Sequence, residues 1–243
     1  MTAIKNLTIK NCFLWLSLLV FGFTSSTQAA TSNNFQPSPG PHNLFVTHLP
    51  AVLPHLKLSA AWLGSYGADP VVFRDANGNK IGDSIVGHAV SNDLALAFGL
   101  GDRFEMGLTL PTLYLQGAGF DGDGLNSFGV GDARLIFKTV LTSNNRGFVA
   151  SFRLASDMPL SQLSETASLN GDGQFNGQLA FSTGFEDESF RMGADLGVLL
   201  RQPTTVGNTK IGHAFTYGFG TEIELVPEKT TLVADVFGQV APA

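Results

Sequence analysis

The chain has 243 residues, with 14 Lys and Arg against 20 Asp and Glu, a formal net charge of −6. That acidic balance, with no basic stripe, argues against nucleic acid as a partner, because phosphate binding needs clustered cations. Cys12 is the only cysteine, so nothing after it can form a disulfide framework, a Cys-based zinc site or a thiol nucleophile.

Residues 1–29 read as a cleaved signal peptide. Lys5 and Lys10 form a positive n-region, 12–23 (CFLWLSLLVFGF) an apolar h-region, and Thr27 and Ala29 suit a cleavage site before Ala30. The apolar run is too short for a spanning helix, which needs about 20 residues. Removing Lys5 and Lys10 leaves twelve basic residues against twenty acidic ones, a mature net charge of −8. The export route places the rest of the chain beyond the inner membrane.

Residues 30–55 are polar and then Pro-rich, and are expected to form a periplasmic lead or linker. Within them, 42–55 (HNLFVTHLPAVLPH) is broken by Pro50 and Pro54 and is at best a short edge segment. From residue 56 the chain alternates apolar and polar residues. In 148–157, Phe148, Ala150, Phe152 and Leu154 share one face, and Ser151, Arg153, Ala155 and Asp157 the other. In 190–201, Phe190, Met192, Ala194, Leu196, Val198 and Leu200 oppose Arg191, Gly193, Asp195 and Gly197. Windows of about ten residues match strands tilted across a bilayer. The expectation is an all-β fold, an antiparallel transmembrane β-barrel of outer-membrane type over 56–243. Phe152, Leu154, Phe181, Met192 and Leu196 should face lipid.

About nine such windows follow one another, near 56–66, 87–98, 103–115, 128–141, 147–158, 174–185, 189–201, 211–225 and 230–240. Short connections (99–103, 142–147, 186–189, 227–229) alternate with long ones (67–86, 116–127, 159–173, 202–210). Tight periplasmic turns and long outer loops are the habit of outer-membrane barrels. Many of the 28 glycines fall inside strands, where they relieve crowding on an inner wall and allow curvature. Phe104, Phe128, Phe148 and Phe190 near strand ends suit an interfacial girdle.

The polar faces carry both signs of charge. Alternation turns Asp132, Arg134, Lys138, Arg153, Asp157, Arg191, Asp195, Arg201, Glu222 and Glu224 inward. Unpaired charge in a narrow interior is costly, so ion pairing is expected, with Arg153 and Arg191 meeting Asp157, Asp195 or the Glu222/Glu224 ladder. Such a lining serves either a selectivity constriction or a lumen closed by its own salt bridges. In 75–83 (DANGNKIGD), Asp75, Asn77, Asn79 and Asp83 resemble alternating calcium ligands, but Lys80 occupies the glycine position, and Asn-Gly is ordinary turn chemistry. Beyond that weak candidate the sequence names no metal, no cofactor and no catalytic group. His88 and His213 follow long loops, and Ser84 and Asp83 lie near His88, but no nucleophile–base–orienter motif surrounds them.

Three stretches, 49–75 (LPAVLPHLKLSAAWLGSYGADPVVFRD), 90–117 (VSNDLALAFGLGDRFEMGLTLPTLYLQG) and 128–141 (FGVGDARLIFKTVL), resemble one group of OmpA-family proteins. Those have an N-terminal barrel followed by acidic repeats and a peptidoglycan-binding domain. GDRFEMGLTLP (101–111) and GVGDARLIFK (129–138) carry the likeness, and the second is also similar to outer-membrane transporters of the phenol-degradation type. The resemblance implies residence in the outer membrane, with lipid and the barrel-assembly machinery as partners, and contact with peptidoglycan through a domain beyond residue 243. An odd strand count and a non-aromatic last residue give the matching expectation that the barrel is incomplete at its C-terminus. A structural or porin-like transport role is expected. The alternatives are an outer-leaflet barrel enzyme acting on lipid and a soluble periplasmic β-barrel binder.

Overall fold

A computed structural model describes residues 36–72, 74–75, 77–119, 122–142, 147–163, 174–187, 189–206, 209–226 and 230–240. The signal-peptide reading lies outside these residues. The described chain is all-β apart from one 3-10 turn, Leu160–Leu163. Its strands are β1 (Leu58–Val71), β2 (Val86–Leu100), β3 (Phe104–Gly117), β4 (Leu125–Val130), β5 (Ala133–Val140), β6 (Gly147–Met158), β7 (Asn176–Asp187), β8 (Phe190–Leu200), β9 (Thr204–Val206), β10 (Thr209–Ile211), β11 (Ala214–Val226) and β12 (Thr230–Val240).

Ten strands form one antiparallel sheet in the order β1-β2-β3-β5-β6-β7-β8-β11-β12, with β4 also on β3, while β9 and β10 form a separate hairpin. This is the expected barrel wall. Each long strand pairs with its sequence neighbour, so the short connections gather at one end (the turn end) and the long ones at the other (the loop end). Among the described residues β1 and β12 are the two edges and do not pair with each other.

The window expected as one strand over 128–141 is two. β4 follows the loop-end half of β3 (Thr112–Gly117), and β5 follows its turn-end half (Phe104–Thr109). The break at Gly131–Asp132 lies beside Pro111, which has no N–H for the ladder. Pro111 still accepts a bond from the Gly131 N–H, at 3.0 Å.

Period-two alternation gives the wall two unlike faces. On the convex face, register sets Phe137 beside Leu154, then Leu179, Val198 and Phe215 across successive strands. One step nearer the turn end, Phe152, Phe181 and Leu196 form the next row. Phe152, Leu154, Phe181 and Leu196 are all exposed, Leu196 at 64%. The opposite face carries buried Ser91, Asp93, Glu105, Lys138, Arg153 and Asp195.

The sheet is curled, and the segment ahead of β1 shows it. Residues 37–55 touch β2, β3, β5, β7, β8, β11 and β12. Pro54 lies against Gly99, Pro39 against Gly107, Pro50 against Gly184, Leu49 against Gly193, and Leu44 against Gly220. Lys138 reaches Leu49, and Asp235 reaches Val46 and Thr47. A single short segment can meet seven strands only if the sheet wraps around it. The Pro-broken stretch 42–55 therefore forms no edge strand. It lies on the concave side, with Leu44, Thr47, His48, Leu49 and Leu53 buried.

Candidate functional site: the charged and plugged interior

The interior is built from the inward positions of alternating strands. Near its middle, Arg153 on β6 donates to Asp195 Oδ2 on β8 at 2.6 Å and to Gln178 Oε1 on β7 at 2.9 Å. Asp195 Oδ1 accepts from Ser182 at 2.6 Å, and Gln178 passes a bond to Thr216 on β11 at 2.8 Å. One network thus spans β6 to β11. Toward the loop end, Arg134 binds Asp157 through two bonds, 2.6 and 3.0 Å. That bidentate geometry is the strong form of an Arg–carboxylate pair.

At the turn end, Lys138 Nζ lies 3.1 Å from Glu105 Oε1, with the two side chains 0% and 3% exposed. Register puts Lys138 directly opposite Arg153, a like-charge juxtaposition that is unfavourable by itself. It persists because each cation has its own carboxylate on its far side. Arg191 binds Glu222 at 2.6 Å on the neighbouring strand.

Every lumen candidate with a described contact is therefore accounted for. Arg153 takes Asp195, and Arg191 takes Glu222. Asp157, directly opposite Arg134 in the ladder, is taken by Arg134. Glu224 continues the inward row of β11, two residues beyond Glu222. Asp132 sits in the β4–β5 break and accepts the Ser161 N–H at 3.1 Å. Arg201 lies one residue past β8, its guanidinium donating to the Gly212 carbonyl.

Sequence reasoning missed Glu105, Asp93, Asp235, Asn43, Thr47 and His48. The first three occupy inward positions and carry the same alternation signal as the residues it found. The others belong to the segment before β1, and nothing local marks them as interior.

That segment fills the turn-end half of the interior. Asp235 Oδ2 on β12 accepts the N–H groups of Val46 (2.8 Å) and Thr47 (3.0 Å), and Oδ1 accepts the Thr47 hydroxyl. Glu105 Oε2 accepts the Leu53 N–H at 2.9 Å. Lys138 donates to Asn43 Oδ1 and to the Leu49 carbonyl, both at 3.2 Å. Arg191 donates to the Pro41 carbonyl at 3.3 Å. The wall glycines complete the fit. A Cβ on Gly107 would come within 2.5 Å of Pro39, on Gly193 within 2.6 Å of Leu49, and on Gly220 within 2.2 Å of Leu44. These in-strand glycines clear space for a particular piece of chain. His48 is wholly enclosed, and burial, followed by the nearby Arg153, Lys138 and Arg134, pushes its pKa well below the usual histidine value. Its ring is therefore neutral.

The calcium candidates form a turn. Asp75 Oδ1 accepts the N–H groups of Asn77 (2.9 Å) and Asn79 (2.8 Å), and its Oδ2 accepts from the Asn79 amide at 3.1 Å. The Asn79 bonds hold the Asp75 carboxyl below its ordinary range. Asp83 is exposed, and among the described residues no cluster of three or more His, Cys, Asp or Glu is placed to hold a metal. His88 Nδ1 bonds to Tyr66 at 2.7 Å, Ser84 bonds to Asp69, and His213 Nδ1 accepts the Arg201 N–H at 3.3 Å. The structure does not bring these residues together as a nucleophile and its base.

No family model matches the chain, and no curated protein matches it. Among solved structures it is similar to a protein described as "TodX deltaS2S3 mutant monoaromatic hydrocarbon channel", with 14% sequence identity and a TM-score of 0.36. The match covers 74% of this chain and 52% of that one, so the chain spans about half the length of that channel. A likeness this distant carries no argument. The fold rests on the strand pairing described above.

Proposed function

We propose that the protein is an outer-membrane β-barrel with a porin- or transport-like role, exported by a cleaved signal peptide and resting in lipid, with its lumen closed by residues 37–55. One observation carries the reading: the wall is apolar outside and charged inside. A continuous apolar band runs Phe137, Leu154, Leu179, Val198, Phe215 across five strands, all exposed except the half-buried Val198, while Lys138, Arg153 and Asp195 are enclosed behind it. A soluble antiparallel sheet puts its apolar face inward and its polar face toward water. Here the order is reversed, as a bilayer demands. The OmpA-like and phenol-degradation-type motifs agree with this location. The enzyme alternative has no support from the hydrogen-bond partners of His88 and His213.

Spin labels at positions 196 and 197 test the membrane half of the reading. A label at 196 should be quenched by a lipid-soluble agent and one at 197 should not; the reverse would sink it. Leu196→Arg should destabilise the barrel by about 2–4 kcal/mol if the residue lies at the midplane. For passage, planar-bilayer conductance of a chain lacking residues 37–49 should exceed that of the wild type, because that segment closes the lumen. Silence in both proteins would remove the transport role.

A further inference from the structure

Residues 37–49 bond to one another in a compact knot. The Ser38 N–H donates to the Phe45 carbonyl (2.9 Å), the Asn43 N–H to Gly40 (3.3 Å) and the Leu44 N–H to Thr47 (3.1 Å). The Ser38 hydroxyl lies at 2.5 Å from the Val46 carbonyl, the Asn43 amide donates to the Pro39 carbonyl, and Asn43 Oδ1 accepts the Leu49 N–H at 3.0 Å. Gly40, at φ +95°, makes the fold-back possible. The described bonds from this knot to the wall are made by wall side chains, Asp235, Lys138, Arg191 and Thr109; no strand ladder joins it to the sheet.

The chain just after it is different. The Leu56 N–H donates to the Gly99 carbonyl, and the Gly99 N–H to the Lys57 carbonyl, both at 2.9 Å. The Gly101 N–H donates to His55 Nδ1 at 2.9 Å. The first two bonds extend the β1–β2 ladder, and the third adds a side-chain tie. The ladder begins at Leu56, whose φ of +58° is a conformation uncommon for a non-glycine residue and found where a chain must turn sharply.

We propose that residues 37–49 are a preformed plug that withdraws as a unit, latched by Asp235 and hinged where residues 53–57 anchor the chain to β2 and β3. Withdrawal breaks no described bond between one main chain and another, because the knot meets the wall through wall side chains. The most concentrated attachment is one carboxylate that holds three donors on two successive residues. That carboxylate sits on β12, the edge strand farthest in sheet order from the hinge. The latch stands on contacts within the chain, whereas its effect on passage rests on the transport reading.

The test uses the full chain with Cys12→Ser and a reporter, Leu44→Cys, whose native side chain is 5% exposed over Gly220. Labelling by a water-soluble maleimide tracks the open population. Asp235→Asn leaves one oxygen to accept and turns an N–H toward the plug's own N–H groups. It should speed labelling by about tenfold, the effect of losing one hydrogen bond to a charged acceptor. Heat-modifiable migration confirms that the barrel is folded. If Asp235→Asn fails to fold, Thr47→Val, which removes only the hydroxyl donor, should still raise the rate by about two- to fivefold. An unchanged rate in whichever folded variant is measured overturns the latch.

A second arm adds Thr47→Cys and Gly218→Cys to the Asp235→Asn chain without the reporter. The Thr47 Cβ lies 3.2 Å from an ideal Cβ on Gly218, a few tenths of an ångström short of disulfide spacing, which a small shift of the segment supplies. Oxidised, this protein should not conduct; reduced, it should. Conductance that ignores the redox state overturns withdrawal as the gate. A freed reporter with no conductance in either redox state keeps the latch and discards transport.

Discussion

The two ends of the interior are held by different chemistry. At the loop end the wall satisfies itself: Arg134 meets Asp157, Ser91 meets Asp93 at 2.6 Å, and each bond joins groups whose positions the sheet sets. At the turn end the wall is built around something else. Glu105, Lys138, Arg191 and Asp235 each spend bonds on residues 37–55, and Gly107, Gly193 and Gly220 leave room for it. Inward charges can thus serve as internal struts or as a mould, and only their partners tell which.

The largest contrast between the ends should come from removing one cation at each. Lys138→Ala leaves Glu105 buried at 3% exposure without its counter-charge and takes two bonds from the plug. The expected cost is about 3–5 kcal/mol. Arg134→Ala exposes a partner that already touches water, at 13% and 9% exposure for the pair, and should cost about 1–3 kcal/mol. Urea unfolding in detergent reads both. Equal costs would erase the distinction between mould and strut.

Glycines sharpen the same comparison at smaller scale. Gly220→Ala would drive a Cβ to 2.2 Å from Leu44 and 2.8 Å from the Ala234 carbonyl, an overpacking worth about 1–3 kcal/mol. Gly177→Ala, toward the loop end on the outward face that it shares with Leu179, meets nothing within 4 Å and should be neutral or stabilising by about 0.4–1 kcal/mol. Melting temperatures of the two variants that move together would show that the plug does not press on the wall.

The smallest expected effect is one of pH. His48 has its folded pKa depressed by burial and then by Arg153, Lys138 and Arg134. A lowered value means that the unfolded chain takes the proton first. Stability is therefore full above the unfolded value of 6.5 and is lost as pH falls toward the folded one. Between about pH 7.5 and about 5.5 the wild type should lose stability that His48→Gln retains. Parallel pH profiles for the two proteins would contradict a neutral, enclosed His48.

Much of this architecture is legible in the residues themselves. Strand alternation is a local property with period two, so the faces of Phe152, Arg153, Leu196 and Asp195 follow once the strands are found. The alternation of short and long connections survives at every hairpin, because neighbouring strands in an antiparallel sheet must return. The break opposite Pro111 is visible in hindsight through the missing N–H, though the sequence reads through it.

Which charge meets which was not legible. Alternation says that Arg153, Asp157 and Asp195 share the interior. Cross-strand register decides that Asp157 faces Arg134 and leaves Asp195 to Arg153, and register depends on the exact length of each turn. The place of residues 37–55 was still less accessible. A Pro-rich polar stretch has the composition of a linker, and no periodicity marks which surface it will cover. Its position is decided by a cavity whose walls come from β2 through β12, and by Asp235, nearly two hundred positions away in the chain. Composition and period determine what each strand shows to lipid and to lumen. What fills the lumen is a matter of long-range shape and charge, which exists only once the sheet has curled.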